Sequence, residues 1–215
     1  MFDYLKDPQA IYQKSFSLIE KELAEPLAKG LIPNEMRDIY VRIIHACGMM
    51  EVAGHLRYSP NILEAARAAL VPGVSVFCDS RMVRAGMIRN YLPKDTNIKI
   101  SLNDPNTLPL AKLLGTTRSA AALELWPEKE LSDGIVVIGN APTALFHLME
   151  RIAAGILPEP KLIIGMPVGF VGAAESKQAL FDFPFKKAGI ITILGRQGGS
   201  AMAAAALNAL AKTVA

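Results

Sequence analysis

Cysteine is scarce in this 215-residue chain, and long apolar runs are absent. Its two cysteines, Cys47 and Cys78, do not form a disulfide framework, and each lies in a pattern where a free thiol acts as a small buried hydrophobe. No window of about 18 apolar residues is free of charge, so we predict no membrane-spanning helix. The first residues, MFDYLKD, carry acids and no apolar signal core, which favours a cytoplasmic location.

Net charge is also small. A formal charge of +3 is too low to indicate nucleic-acid binding, although it permits attraction of an acidic small molecule if the positive charges converge. Hydrophobic residues make up 51% of the chain, which is enough to bury a core and excludes disorder. We therefore expect one domain over residues 1–215.

The standard fingerprints of nucleotide-binding proteins and serine hydrolases are missing. No G-x-G-x-x-G follows the first predicted strand, and neither G-x-x-x-x-G-K-[ST] nor G-x-S-x-G occurs. His45, His55 and His147 are widely separated and lack the neighbouring ligands of a metal site. We expect no metal and no cofactor. A nucleotide-dependent α/β enzyme stays open as an alternative, on the fold alone.

Apolar spacing divides the chain into a mainly helical part, residues 1–72, and an alternating strand/helix part, residues 73–215. The predicted N-terminal helices are Pro8–Ala28, Pro33–Met49 and Asn61–Leu70. The predicted strands are Val74–Cys78, Ile98–Leu102, Ile135–Ile138, Leu162–Ile164 and Ile190–Leu194. The helices between them are predicted over residues 81–91, 108–114, 119–125, 142–154, 173–180 and 200–212. Short apolar strands separated by helices predict a three-layer α/β/α fold with a mostly parallel five-stranded sheet and additional N-terminal helices.

Glycine-rich turns follow the predicted strands. The longest such motif, IGMPVGFVGAAESK over 164–177, runs from an apolar strand through a turn into a helix. Similar transitions occur in VFCDSR (76–81), VVIGNAPT (136–143) and ILGRQGGS (193–200). Because ligands bind at the carboxyl ends of strands in open α/β sheets, we predict one composite site there for a sizeable ligand with polar edges.

Cations and hydroxyls accompany these turns. Each one alone is an ordinary cap or surface charge, but together they suit several carboxylates or phosphates. The candidate binding residues are Arg81, Arg118, Ser119, Asn140, Thr143, Lys177, Arg196 and Ser200. Asp79 is either a base or a helix cap. His147 is predicted to be structural.

His45 lies in the predicted helix RIIHACGM. Arg42 is about one turn before it and Gly48 about one turn after it, on the same helical face. From the residues alone, His45 is either a site imidazole that a ligand approaches over Gly48 or a core histidine with one hydrogen bond.

Six blocks together resemble the precorrin-8X methylmutase family, including its cobalt-precorrin-8 relatives. They are IIHACGM (43–49), FCDSRMV (77–83), GTTRSAAAL (115–123), IGNAPTALF (138–146), IIGMPVGFVGAAESK (163–177) and GRQGGSAMAAAALNAL (195–210). DYLKDPQAIYQKSF (3–16) is similar to the family's opening. The resemblance covers nearly the whole chain, in the same order.

This resemblance implies an isomerase of cobalamin biosynthesis that moves a methyl group from C-11 to C-12 of precorrin-8X or cobalt-precorrin-8. The product is hydrogenobyrinic or cobyrinic acid. It also implies that His45 acts on ring C, that Ser15 and Arg42 contact the substrate, and that homodimers share active sites. A non-catalytic corrinoid-binding or carrier protein and the nucleotide-dependent enzyme are the two alternatives.

Overall fold

The computed structural model of the protein describes residues 2–215. Its longer helices are α1 (Pro8–Ala28), α2 (Arg37–Cys47), α4 (Ile62–Ala69), α9 (Pro142–Ala153), α10 (Ala173–Asp182) and α11 (Ser200–Val214). Its shorter helices are α3 (Val52–His55), α5 (Arg81–Ala85), α6 (Thr107–Leu113), α7 (Arg118–Ala121) and α8 (Glu128–Ser132). Single 3₁₀ turns occupy Asn34–Met36, Arg89–Tyr91 and Ala122–Leu125.

One six-stranded sheet forms the middle layer. Its strands are β1 (Leu56–Tyr58), β2 (Ser75–Cys78), β3 (Asn97–Lys99), β4 (Ile135–Ile138), β5 (Leu162–Gly165) and β6 (Gly189–Ile193). They lie in the order β1-β6-β5-β4-β2-β3. All neighbours are parallel except β1, which pairs antiparallel with β6 and places Leu56 opposite Ile193.

The four inner strands β2, β4, β5 and β6 are mostly apolar because helices cover both of their faces. Every residue of β2, β4, β5 and β6 is buried. Alternate side chains enter two separate cores. Val137, Ile164 and Ile191 pack with α1, α2, α4 and α11 on one face, whereas Val136 and Ile163 pack with α9 and α10 on the other. The predicted three-layer α/β/α architecture is thus confirmed.

Most predicted elements are present, with several differences. The strand predicted over Ile98–Leu102 is β3 over Asn97–Lys99, and the short helices α3 and α8 were not predicted. β1 adds a sixth strand that was not predicted. The predicted helix over Pro33–Met49 is instead a 3₁₀ turn followed by α2, which ends where Gly48 adopts φ 69°. The predicted helix over 81–91 stops at Ala85, and the backbone groups that follow pair with Asn208 of α11, which accepts the Ile88 N–H and donates to the Gly86 carbonyl. Gly86 lies so close to α11 that an added Cβ would lie 2.7 Å from Ala204 Cβ.

The topology reverses between β2 and β4, since β3 lies on one side of β2 while β4, β5 and β6 extend on the other. Such a switch point is the usual ligand crevice of an open α/β sheet. Here α11 begins directly over it: a Cβ added to Gly139 after β4 would lie 2.8 Å from Ser200 Cα. The open space therefore lies beside the start of α11 rather than in the crevice itself. Within residues 2–215, no helix is long and apolar enough to cross a bilayer.

Candidate active site

Helix α1 carries one face of side chains toward α2. Asp7 caps the helix by accepting the Gln9 N–H at 3.0 Å, and Pro8 occupies its first turn, where no N–H is needed. Ile19 and Leu23 are buried in the core. The same helical face continues toward the N-terminus with Tyr12, Ser15 and Phe16. All three contact residues of α2.

His45 of α2 meets this face. Its Nδ1 lies 2.8 Å from Ser15 Oγ. The rings of Phe16 and Tyr12 stand edge-on to the imidazole, at centroid distances of 5.2 and 5.6 Å. His45 is exposed, so it is not a core histidine. Within the part of the chain that the structure describes, Nε2 has no hydrogen-bond partner and is free for a ligand.

Arg42 lies one turn before His45 among aromatic rings. One terminal guanidinium nitrogen donates to the Tyr12 hydroxyl at 2.8 Å, and the guanidinium carbon lies 5.4 Å from the ring centres of Phe16 and Tyr91. Over residues 2–215, no carboxylate pairs with it, and its buried Nε has no partner. An anion is the natural partner of a cation held in this way.

These side chains line a cavity of about 330 Å³. Opposite His45, the wall consists of Gly86, Ile88 and Tyr91 together with one face of α11 formed by Ala201, Ala205 and Asn208. Small residues on α11 leave this space open. The cavity combines an imidazole and a guanidinium with apolar and aromatic walls, as suits a flat, largely apolar acid.

Beside the cavity, the turns after the strands meet at one edge of the sheet, as predicted from the sequence. Asp79 accepts the N–H groups of Gly139, Asn140 and Ala141, and Ser80 Oγ lies 3.3 Å from Ser200 Oγ. Ser80 caps α5. Asp79 thus holds the neighbouring turn instead of capping its own helix, and its burial, opposed by these bonds, raises the pKa of its carboxyl.

The predicted polar residues fall into two groups. Ser15, Arg42 and His45 converge on the cavity. The adjoining rim carries Arg118, Ser119, Asn140, Thr143 and Arg196. In this rim Thr117 Oγ1 is 2.8 Å from Thr143 Oγ1, and the guanidinium carbon of Arg196 lies 5.3 Å from the ring centre of Phe170. Gln197 links the rim to α2, the helix that carries Arg42 and His45. Its side-chain amide nitrogen lies 3.7 Å from Sδ of Met49, two residues after the end of α2. Arg81 begins α5, on the far side of the cavity wall.

Lys177 is placed differently from expectation. Its side chain is fully buried beneath the rim, and its ammonium donates to the Gln197 carbonyl. This geometry gives Lys177 a supporting role under the loop instead of the predicted direct contact with a ligand. Burial lowers the pKa of its ammonium to about 8.

Most contributors to the cavity escaped sequence reasoning, among them Tyr12, Phe16, Tyr91 and Asn208. Their spacing was the signal in the sequence that could have identified them. Residues 12, 15 and 16 share one face of a predicted helix, and residues 201, 205 and 208 share one face of another. Gly48, expected beside His45, instead ends α2 by donating to the Ile44 carbonyl at 2.7 Å.

Fold and site together define an α/β protein whose cavity holds a free imidazole nitrogen of His45 beside the guanidinium of Arg42. The family model for precorrin-8X methylmutase matches residues 10–213. The precorrin-8X methylmutase of Pseudomonas aeruginosa is 51% identical over 211 residues, covering 98% of each chain, and that of Sinorhizobium sp is 47% identical, covering 98% of this chain and 97% of the relative.

The cobalt-precorrin-8 methylmutase of Priestia megaterium is 38% identical, covering 94% of this chain and 87% of the relative. The solved precorrin-8X methylmutase structure from Thermus thermophilus superposes with a TM-score of 0.81 at 33% identity, covering 96% of each chain. The chain belongs to the precorrin-8X methylmutase family, isomerases that carry out a methyl migration in cobalamin biosynthesis.

Proposed function

We propose that this protein moves a methyl group from C-11 to C-12 of metal-free precorrin-8X and releases hydrogenobyrinic acid. Family membership supports the reaction. The choice of the metal-free substrate is supported by the relatives' names. Those 51% and 47% identical are named for precorrin-8X, whereas six cobalt-precorrin-8 methylmutases, including that of Priestia megaterium, are 32–38% identical.

The observation that carries the mechanism is the imidazole of His45, which is held at Nδ1 by Ser15 and free at Nε2. A methyl shift of this kind is intramolecular, so catalysis must come from holding one tautomer and stabilising the charge that develops as the methyl moves. His45 protonates, or donates a hydrogen bond to, the ring-C nitrogen and makes the migration terminus electron-poor. General acid assistance of this kind contributes roughly 10²–10⁴-fold.

The acidic side chains of the macrocycle need cationic partners. Arg42 offers its unpaired guanidinium inside the cavity, close to His45. The rim supplies a second set around the macrocycle's edge, namely Arg118, Ser119, Asn140, Thr143 and Arg196, with the buried Ser200 beneath it. Arg81 lies beyond the cavity wall. In this arrangement the ring lies against the small residues of α11, since these allow a flat body to approach the helix.

The enzyme is further proposed to act in the cytoplasm as a homodimer with shared active sites. The dimer is supported by the adjacent Phe170 and Val171 at the rim, which are 84% and 89% exposed and form an apolar surface that a second copy would cover. Mixing His45→Ala protein, which we expect to be inactive, with Arg118→Ala protein, which we expect to bind the substrate weakly, tests the sharing. If the two residues of one site come from different chains, mixed dimers turn over substrate faster than Arg118→Ala protein alone, whereas unshared sites give no gain.

Replacing His45 with Ala tests the chemistry. Turnover of precorrin-8X, followed by absorbance, should nearly vanish while hydrogenobyrinic acid still binds. Rearrangement at a near-normal rate would overturn the role of His45. Parent protein that binds the corrinoid but never rearranges it would be a carrier. Parallel assays with cobalt-precorrin-8 test the substrate choice, because the metal-free form should be preferred.

A further inference from the structure

A second depression lies behind the wall of the His45 cavity. It has a volume of about 360 Å³ and is lined by Arg81, Arg84, Ala85, Met87, Arg89 and Ile98. Gly86 and Ile88, which alternate with Ala85, Met87 and Arg89 along the chain, line the His45 cavity instead. Residues 84–89 are therefore a partition one chain segment thick, with the imidazole on one side and three arginines on the other.

The three arginines have no anionic partner within residues 2–215. Arg81, Arg84 and Arg89 are all exposed, and none forms an ion pair with a described carboxylate. Arg89 alone is oriented by a protein group, since it donates to the Thr96 carbonyl at 2.8 Å. Three guanidiniums around one depression repel each other unless an anion lies between them. Their planar donor groups match carboxylates in particular.

The wider charge distribution agrees with this local one. Between residues 79 and 118 the sequence has seven basic and three acidic residues, a surplus of four, whereas the whole chain carries only +3. The surplus of positive charge thus falls in residues 79–118, which include the cavity wall and β3, although Lys99 is paired with Glu130. A field of this sign attracts a polycarboxylate and raises its association rate.

We infer that the arginine depression is a docking site for carboxylate side chains of the macrocycle, which extend over the 84–89 partition while the ring lies in the His45 cavity. The inference rests on the proposed function, because a polyacidic macrocycle is needed to reach both sides. Apolar Met87, Ala85 and Ile98 between the arginines suit the methylene stems of such side chains.

Arg84→Gln is the cleanest test, since Arg84 donates no side-chain hydrogen bond within the described residues and its loss leaves the partition intact. The double variant Arg84→Gln/Arg89→Gln extends it. Arg67→Gln, at an exposed position of α4, is the matched control for loss of one charge. The Kd of hydrogenobyrinic acid is measured by absorbance titration at low and high salt, and again with the fully esterified compound, which has no carboxylates.

The double variant should bind the acid about ten-fold more weakly at low salt, with a smaller loss for Arg84→Gln alone and a shallower salt dependence in both. Binding of the ester, and all binding by Arg67→Gln, should be unchanged. An unaltered Kd for the acid overturns the docking site, and so does equal weakening for acid and ester, which would indicate a displaced wall. Parent protein that neither binds nor rearranges the corrinoid would instead overturn the proposed function.

Discussion

Ser15 Oγ lies 2.8 Å from Nδ1 of His45, across the packing of α1 on α2. A serine hydroxyl can donate or accept, and the direction chosen sets the tautomer of a neutral imidazole. When Ser15 donates, Nε2 carries the proton and is ready to donate it toward a ligand nitrogen in the cavity. The position of α1 is thereby coupled to the chemistry proposed for α2.

Ser15→Ala removes this orientation while leaving the imidazole in place. We expect kcat for precorrin-8X to fall about ten-fold, since one hydrogen bond worth about 1.4 kcal/mol no longer selects the productive tautomer, while KM changes little. The control is Ser17→Ala, because the Ser17 hydroxyl donates to the Lys14 carbonyl within the same helix. Equal rates for parent and Ser15→Ala would contradict the orienting role.

The fold was largely predictable where one segment decides its own structure. Ile135–Ile138 has the same bounds in sequence and structure, because a run of β-branched residues buried on both faces reads as a strand from composition alone. β1 did not. It has three residues with Arg57 at its centre, and its strand partner β6 lies more than 130 residues further along the chain. Such pairing depends on tertiary contacts that no local pattern carries.

The site was predictable in its parts but not in its arrangement. Polar residues at the strand ends do gather at one rim, as parallel strands require. Their separation from the His45 cavity follows from Ser200 packing over Gly139, a contact that depends on the path of α11. Tyr12 and Tyr91, nearly 80 residues apart, face Arg42 together only after α1 and the turn at Arg89–Tyr91 have docked.

Asn208 is predicted to position the cavity wall. Its amide donates to the Gly86 carbonyl at 2.9 Å and its carbonyl accepts the Ile88 N–H at 2.9 Å, so a buried side chain pairs with both backbone groups. Asn208→Asp replaces the donor by an acceptor facing a carbonyl. We expect KM for precorrin-8X to rise about ten-fold, with a loss of unfolding free energy of about 1–3 kcal/mol.

A second variant separates the expected rise in KM from the expected loss of stability. Ile163→Val thins the core on the opposite face of the sheet and costs about 0.5–1.5 kcal/mol. Its KM should equal that of the parent. If denaturant titration shows that Asn208→Asp is less stable than the parent but its KM is unchanged, Asn208 does not position the wall.

Gly198 is predicted to hold the two rim loops together by its lack of a side chain. A Cβ there would lie 2.7 Å from the Pro167 carbonyl oxygen and closer still to that of Met166, while the next N–H, of Gly199, donates to Met166 at 2.7 Å. Gly198→Ala must therefore separate the loops, at a cost of at least about 2 kcal/mol in unfolding free energy.

Gly195→Ala is the comparison, because it adds a Cβ at φ 82° with nothing within 4 Å. That change meets only the backbone penalty, about 1–2 kcal/mol. Thermal or urea unfolding should rank Gly198→Ala below Gly195→Ala, and corrinoid binding should weaken in the former. The reverse ranking would show that the rim loops accommodate a methyl group without moving apart.

Lys177 should make stability depend on pH in a defined direction. Burial lowers the pKa of its ammonium from 10.5 to about 8. Between these values the unfolded chain binds more protons than the folded one, so the unfolding free energy rises with pH; below about pH 8 both states are protonated and this contribution is lost. Relative to Lys177→Met, which does not titrate, the unfolding free energy of the parent should rise by up to about 3 kcal/mol on going from pH 7 to 10.5.

Lys129→Met, at an exposed site, controls for the lost charge. A parent-minus-variant difference that stays constant in urea titrations across this range would mean that the buried ammonium keeps its ordinary affinity for the proton.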